Sequence, residues 1–359
     1  MKGQVVFLYA FDVANEIATD RISDALASKP FPFEIRTHRS FPKDVPLYKP
    51  FTIEPPPPGT TLDGKPLSVL VRVYEVGVVS IALRTPFETQ NLAELKRFHE
   101  PVLADGSTLD TAARKLCSQI CASLEHVLIQ ASAPSEPEAY TIFCLTEVGQ
   151  KVDANQWLAT NRRAVAELLT GAAPFELSEM QTTEVLRIAR SYANTDLVVI
   201  DWDAALSVEL AGQMDDVLYV IELANVQLEE YRVMDQRLDR YLDRAYDDLK
   251  RRRFGLLGTY SSTLRTLRLF RVDLARLNDE VTHISKFFGD WYLARIYVGA
   301  AERFYLNQWR KSVEDRLGQL DQLYTVVNAD VNNRRMVWLE VLVVVFFAID
   351  LLMLAFWRH

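Results

Sequence analysis

The C-terminal run at residues 336–357, MVWLEVLVVVFFAIDLLMLAFW, constrains this chain more than any other stretch. As a helix rising ~1.5 Å per residue it would measure roughly 33 Å, enough to cross a bilayer core. Its apolar residues surround the helix instead of forming a stripe, which is the pattern of a span and not of an amphipathic surface helix. Trp338 and Trp357 bracket it, and Arg334, Arg335 and Arg358 flank it, as interface aromatics and positive-inside residues would. Two acids interrupt the run: Glu340 near its start and Asp350 inside it, leaving only 341–349 unbroken. The expectation is one C-terminal transmembrane helix acting as a tail anchor.

The first residues, MKGQVVFLYAFDVANEI, lack the long apolar region of a signal peptide and meet Asp12 and Glu16 early. They also lack the Arg-rich, acid-poor character of a transit peptide. The N-terminal part is therefore expected in the cytoplasm, with the chain single-pass in a membrane, the bacterial inner membrane by preference. A net charge of -8 argues against bulk nucleic-acid binding. The three cysteines, Cys117, Cys121 and Cys144, read as reduced, buried thiols, since a zinc site wants more ligands at tighter spacing.

Residues 1–203 mix strands and helices without a strict βαβ rhythm, so an α+β domain is expected. Residues 5–11, 67–74, 76–83, 139–146 and 196–202 read as strands, with Gly77 marking a turn. Residues 91–103, 108–131, 153–169 and 178–191 have helical periodicity, Ser178 being a plausible N-cap, and 15–27 is a short helix candidate. A Pro-rich loop lies at 42–59 and includes Pro55, Pro56, Pro57 and Pro58.

From about Ala204 the prolines and strand signals stop. Positions 217, 221, 224, 228, 231, 235, 238, 242, 245 and 249 alternate in steps of four and three, a coiled-coil repeat. Nine of the ten can pack in a seam, and Asp235, the exception, can set register. Two further stretches, 264–288 and 306–331, carry the same kind of periodicity. Turns near Gly255–Gly258 and Gly289 would fold them into a long antiparallel helical stalk over 204–335. Lys250, Arg251, Arg252 and Arg253 form a basic patch before the first turn, expected to face the membrane end of the stalk. It can complement a helix dipole, or meet anionic lipid headgroups or another partner.

Signals for chemistry are sparse: no phosphate-binding glycine loop, no GxSxG and no HExxH occurs. Asp201 and Asp203, after a strand, are candidate metal ligands, or an N-cap with solvated acids at the entrance to the stalk. Glu340 and Asp350 are about 80° apart around the helix, so both can meet the same partner group. A carboxylate near a span's centre costs ~2.5–3.5 kcal/mol, and pairing between copies is the simplest remedy. A ring of spans around a pore lined by Asp350 is the alternative.

Several segments resemble landmarks of the required-for-meiotic-nuclear-division family: Val76-Gly-Val-Val-Ser, Ser191-Tyr-Ala-Asn-Thr-Asp-Leu-Val-Val-Ile-Asp, Phe287-Phe-Gly-Asp-Trp, and the ending from Trp338 through Leu339-Glu340 to Asp350. The long mitochondrial extension of eukaryotic members is absent, which points to a bacterial-type member. The resemblance implies a membrane-anchored protein without established enzymatic activity. It also implies homo-oligomers that hold ribosomes near a membrane, with Lys250–Arg253 the cationic cluster for a ribosome-like partner. The combined expectation is a non-enzymatic, cofactor-free, homo-oligomeric scaffold or tether: an α+β domain (1–203), a helical coiled-coil stalk (204–335) and a transmembrane helix (336–357). The alternatives are an oligomeric channel and a metal-dependent enzyme at Asp201 and Asp203.

Overall fold

The computed structural model describes residues 1–18, 21–22, 31–32, 50–56, 59–148, 153–209, 214–250, 271–272, 274–275 and 291–357. The chain divides into two units, Met1–Val233 with Leu277–Trp309, and Met234–Arg276 with Arg310–His359.

In the first unit, strand β1 (Lys2–Asp12) explains the architecture. Its run VVFLYAF is apolar at every position and buried at every position, where a strand with one wet face would alternate. Both faces of the sheet must therefore be covered. The described sheet has nine strands, β1 at its centre. Its neighbours are β8 (Val78–Glu88) and β10 (Glu138–Glu147), both antiparallel to it. Beyond β8 lie β7 (Ser68–Tyr74), β4 (Phe51–Ile53) and β3 (Phe31–Pro32). Beyond β10 lie β13 (Ala204–Glu209), β12 (Asp196–Ile200) and β11 (Ala189–Arg190). Only β10 and β13 pair in parallel within this sheet. Short ribbons join β2 (Glu16–Ile17) to β9 (Leu128–Ile129), and β5 (Thr61–Leu62) to β6 (Lys65–Pro66).

One sheet face carries Val5, Phe7, Tyr9 and Phe11 of β1 with Val71, Val73, Ile81 and Phe143 of its neighbours, all in one apolar core. A 3-10 segment (Leu92–Phe98) and helices α1 (Leu109–Ser123), α2 (Ala154–Thr170) and α3 (Glu179–Val185) supply the other half of that core. Their starts are written locally: Thr108, Asp153 and Ser178 each accept backbone N–H groups of the first turn, and Gly171 ends α2 in the left-handed region. The opposite face carries Arg72, Tyr74, Ser80, Tyr140 and Ser207. It is met by the first half of α4 (Met214–Lys250) and by α5 (Trp291–Arg303). The unit is a three-layer α/β/α arrangement on a mixed sheet, which fits the α+β expectation for the N-terminal region.

Gly77 closes the β7–β8 hairpin at φ +95, where a Cβ would stand 1.9 Å from the Ala14 carbonyl oxygen. Several local expectations shift. Residues 16–17 are a strand, α1 stops at Ser123, and 204–209 is a further strand in place of a helix entrance. Most of the expected helix over 264–288 and most of the Pro-rich loop lie outside the described residues.

In the second unit, Leu238 and Leu242 of α4 are buried, as are Val313, Leu317 and Leu320 of α6 (Leu306–Trp357). Asp235 accepts from Ser312 at 3.0 Å and pairs with Arg316 at 2.8 Å, while Arg316 also reaches Asp239. These pairs advance in step along both helices.

Helix α6 contains the run expected to span a membrane. Among the described residues, no helix is long and apolar enough to cross one. This corrects the expected C-terminal transmembrane helix, and with it the tail anchor, the single-pass topology and the inner-membrane placement. The physical reason is in the run itself. Its unbroken apolar part, 341–349, is only about 13 Å long at ~1.5 Å per residue. Glu340 and Asp350 bound it, and Arg334 and Arg335 precede it in the same continuous helix.

Candidate functional site

A set of buried charged and polar side chains lies between the second sheet face and α4. From Val217 to Gln227 every residue of α4 is buried, and the polar ones need partners. Glu222 finds Arg72, which interrupts the valines of β7. The two form an ion pair with side chains only 2–3% exposed. Tyr74 donates to the same carboxylate at 3.3 Å, and the Arg72 guanidinium lies 5.4 Å from the Tyr219 ring centroid. Burial, the largest single influence, would lower the Arg72 pKa, but Glu222, Tyr74 and Tyr219 together outweigh it and the guanidinium is held above its ordinary value. The Tyr74 hydroxyl is pushed far up by burial first and by Glu222 next.

A second cluster lies further along α4. The buried Glu229 pairs with Arg232 at 2.6 Å and accepts from the Ser135 hydroxyl, which itself accepts from the Asp12 N–H at 2.9 Å. Arg232 also reaches Glu138 of β10 at 3.3 Å and the Glu136 carbonyl. Asn225 donates to the Glu138 carbonyl at 3.1 Å. Burial raises the Glu229 carboxyl from its ordinary 4.5 to about 7, with Ser135 and Arg232 pulling the other way. Burial also raises Glu138, against Arg232.

The third cluster is at the opposite end of the sheet. Arg303, the last residue of α5, is 3% exposed. It pairs with Asp201 at 2.7 Å and Glu184 at 3.0 Å, and donates to the carbonyls of Glu184, Val185 and Ile200. The Tyr140 hydroxyl donates to the Asp201 carbonyl at 2.8 Å. Burial raises the Asp201 carboxyl, opposed by Arg303.

This geometry places the candidates raised by the sequence. Asp201 precedes a two-residue hairpin turn, Trp202-Asp203: the Asp201 N–H donates to the Ala204 carbonyl and the chain re-enters the sheet as β13. Asp201 is turned to Arg303 and Asp203 is exposed, so the two share no ligand geometry. Among the described residues no group of three or more His, Cys, Asp or Glu side chains is placed to hold a metal ion. Asp235 is engaged by α6 of its own chain. Lys250 ends α4, whereas Arg251, Arg252 and Arg253 lie outside the described residues. Glu340 is exposed on α6, and Asp350 lies in the same helix.

Sequence reading missed Arg72, Glu222, Glu229 and Arg303. The available signals were an arginine at the centre of SVLVRVY and five polar residues within an otherwise apolar stretch of α4. A cavity of about 820 Å³ opens near the other side of the unit, lined by Leu83, Leu116, Thr111, Lys115 and Gln119 among others, and by none of the clustered charges above.

The fold and these clusters define a three-layer α/β/α domain in which long helices are clamped to a mixed sheet by buried ion pairs. The chain belongs to the family described as "Uncharacterized protein MJ0711, N-terminal domain", whose model matches residues 2–215. It is similar to the protein of that description from Methanocaldococcus jannaschii, with 22% identity over 260 residues, covering 72% of this chain and 72% of the relative. No solved structure matches.

Proposed function

We propose that the chain is a non-catalytic scaffold that assembles with copies of itself through the end of α6. One observation carries this reading. From Met336 to Phe347 every residue of the helix is exposed, with Phe346 at 63% and Phe347 at 70%. Earlier in the same helix Val313, Leu317 and Leu320 are buried, so the two stretches differ sharply in what covers them. The exposed apolar side chains together present on the order of 1,000 Å², against ~800 Å² per partner in a stable interface. Patches of that size mark interaction surfaces.

A second copy suits this surface better than an unrelated globular partner. A helix apolar on all sides needs a neighbour equally long and apolar, and the described part of this chain offers that only in α6 itself. The site chemistry supports the same reading: the buried charges engage each other, and the cavity is lined by none of them.

The landmark residues around Val76, Asp201 and Trp338 support a finer kinship with bacterial-type members of the required-for-meiotic-nuclear-division family. In that case the assembly would hold a large partner, and Lys250, Arg251, Arg252 and Arg253 are the cationic cluster for a ribosome-like one. Mixing donor-labelled and acceptor-labelled protein tests self-assembly. Energy transfer that develops on mixing, and is lost in Leu342→Glu/Phe346→Glu, supports the reading. Absence of transfer at micromolar concentration overturns it.

A further inference from the structure

We infer that Cys117 and Cys121 are a peroxide-responsive thiol pair that closes into a disulfide within α1. Their sulfurs lie 4.0 Å apart on one face of the helix. Cys117 is buried in the apolar core and Cys121 is half-buried at its edge, so the outer thiol can be reached and the inner one waits behind it. That is the arrangement of an attacked and a resolving cysteine. The hydrogen bond between them draws the Cys121 thiol below its ordinary value, against burial, and pushes Cys117 up, in keeping with the more exposed Cys121 as the sulfur that meets peroxide.

The chemistry balances in two steps. The Cys121 thiolate attacks a hydroperoxide oxygen; the O–O bond breaks, hydroxide takes a proton and leaves as water, and Cys121 becomes a sulfenic acid. Cys117 sulfur then attacks the Cys121 sulfur, the S–O bond breaks, and a second water carries away the Cys117 proton. Two electrons pass from the thiols to the peroxide.

The position in the helix permits closure. A disulfide needs sulfurs about 2.05 Å apart, closer than the side chains of a regular helix bring residues four apart. Cys121 lies in the last turn, and the helix ends at Ser123. There the Leu124 N–H is shared between the Ile120 carbonyl at 2.9 Å and the Cys121 carbonyl at 3.1 Å. A terminal turn held this way can unwind without breaking the helix interior. Its movement is transmitted to β9, which follows directly and pairs with β2.

The test is peptide mass mapping of the full chain after hydrogen peroxide treatment. All three cysteines lie between Lys115 and Lys151, so trypsin leaves them together; cleavage after Glu125 separates Cys144. The expected result is a loss of about 2 Da in the peptide holding Cys117 and Cys121, reversed by dithiothreitol. Cys144, buried in β10 with its thiol pushed up by burial to about 12, should stay reduced. In Cys117→Ser, dimedone should trap sulfenic acid on Cys121 at least ~5-fold more than in the native chain. Stepwise oxygen gain on Cys121 with no 2 Da loss in the native chain would overturn the inference, and so would disulfides between chains or no reaction at all.

Discussion

Removing one partner of the Arg72–Glu222 pair is the sharpest test of how the second sheet face is held. Both side chains are almost fully buried, and Tyr74 adds its hydrogen bond to the same carboxylate. Arg72→Met leaves the Glu222 carboxylate with Tyr74 as its remaining named donor. Glu222→Leu takes that carboxylate away from the buried Arg72 guanidinium. Each should destabilise the first unit by ~3–5 kcal/mol, the usual penalty for an uncompensated buried charge. Against total stabilities of ~5–15 kcal/mol that is a large fraction. The double replacement Arg72→Met/Glu222→Leu removes both charges, and should recover at least ~2 kcal/mol of the summed single losses. Tyr74→Phe loses one hydrogen bond and should cost only ~0.5–1.5 kcal/mol. Native-state hydrogen exchange of the β1 and β7 amides in urea is the suitable assay, because it reads this unit separately from the other. Single losses below ~1 kcal/mol would mean that the pair is hydrated. Strict additivity in the double variant would mean that the two charges do not interact. Either result refutes the clamp.

Glu229 gives a pH prediction with a definite sign. Its folded pKa of about 7 lies above its ordinary 4.5, so the folded state keeps a proton that the unfolded state has lost. Its contribution to stability is fully present below pH ~4.5 and is lost as pH rises to ~7, by up to ~3 kcal/mol. Glu229→Gln should flatten that part of the urea-unfolding profile, and an unchanged slope would refute the assignment. At Gly77, the positive φ and the Ala14 carbonyl 1.9 Å from any Cβ predict that Gly77→Ala costs more than ~1 kcal/mol in thermal or urea unfolding. A neutral effect would show that the hairpin accommodates the side chain.

Much of the first unit was legible in the sequence because its elements announce themselves locally. VVFLYAF reads as a strand, Gly77 as a turn, and Ser178 as a helix cap. Other features depend on tertiary partners. Residues 204–209, AALSVE, are short and small, and become a strand only because β10 and β12 supply ladders on both sides. The heptad spacing of α4 stands in the sequence, but over 217–231 the helix is buried nearly all round, which a seam reading does not foresee. The charged clusters were illegible for the same reason. Arg72 and Glu222 are 150 residues apart, and Arg303 is 119 from Glu184. Nothing local marks them as partners. The run at 336–357 shows the opposite error: composition over 22 positions outweighed the carboxylates that break it.

The central claim is that the exposed end of α6 joins copies of the chain, and its molar mass by light scattering tests that most directly. At micromolar concentration the native chain should weigh a whole multiple of 41.0 kDa, and Leu342→Glu/Phe346→Glu should return it to 41.0 kDa. A native chain that stays at 41.0 kDa, or that binds phosphatidylcholine vesicles as single copies, would contradict the account.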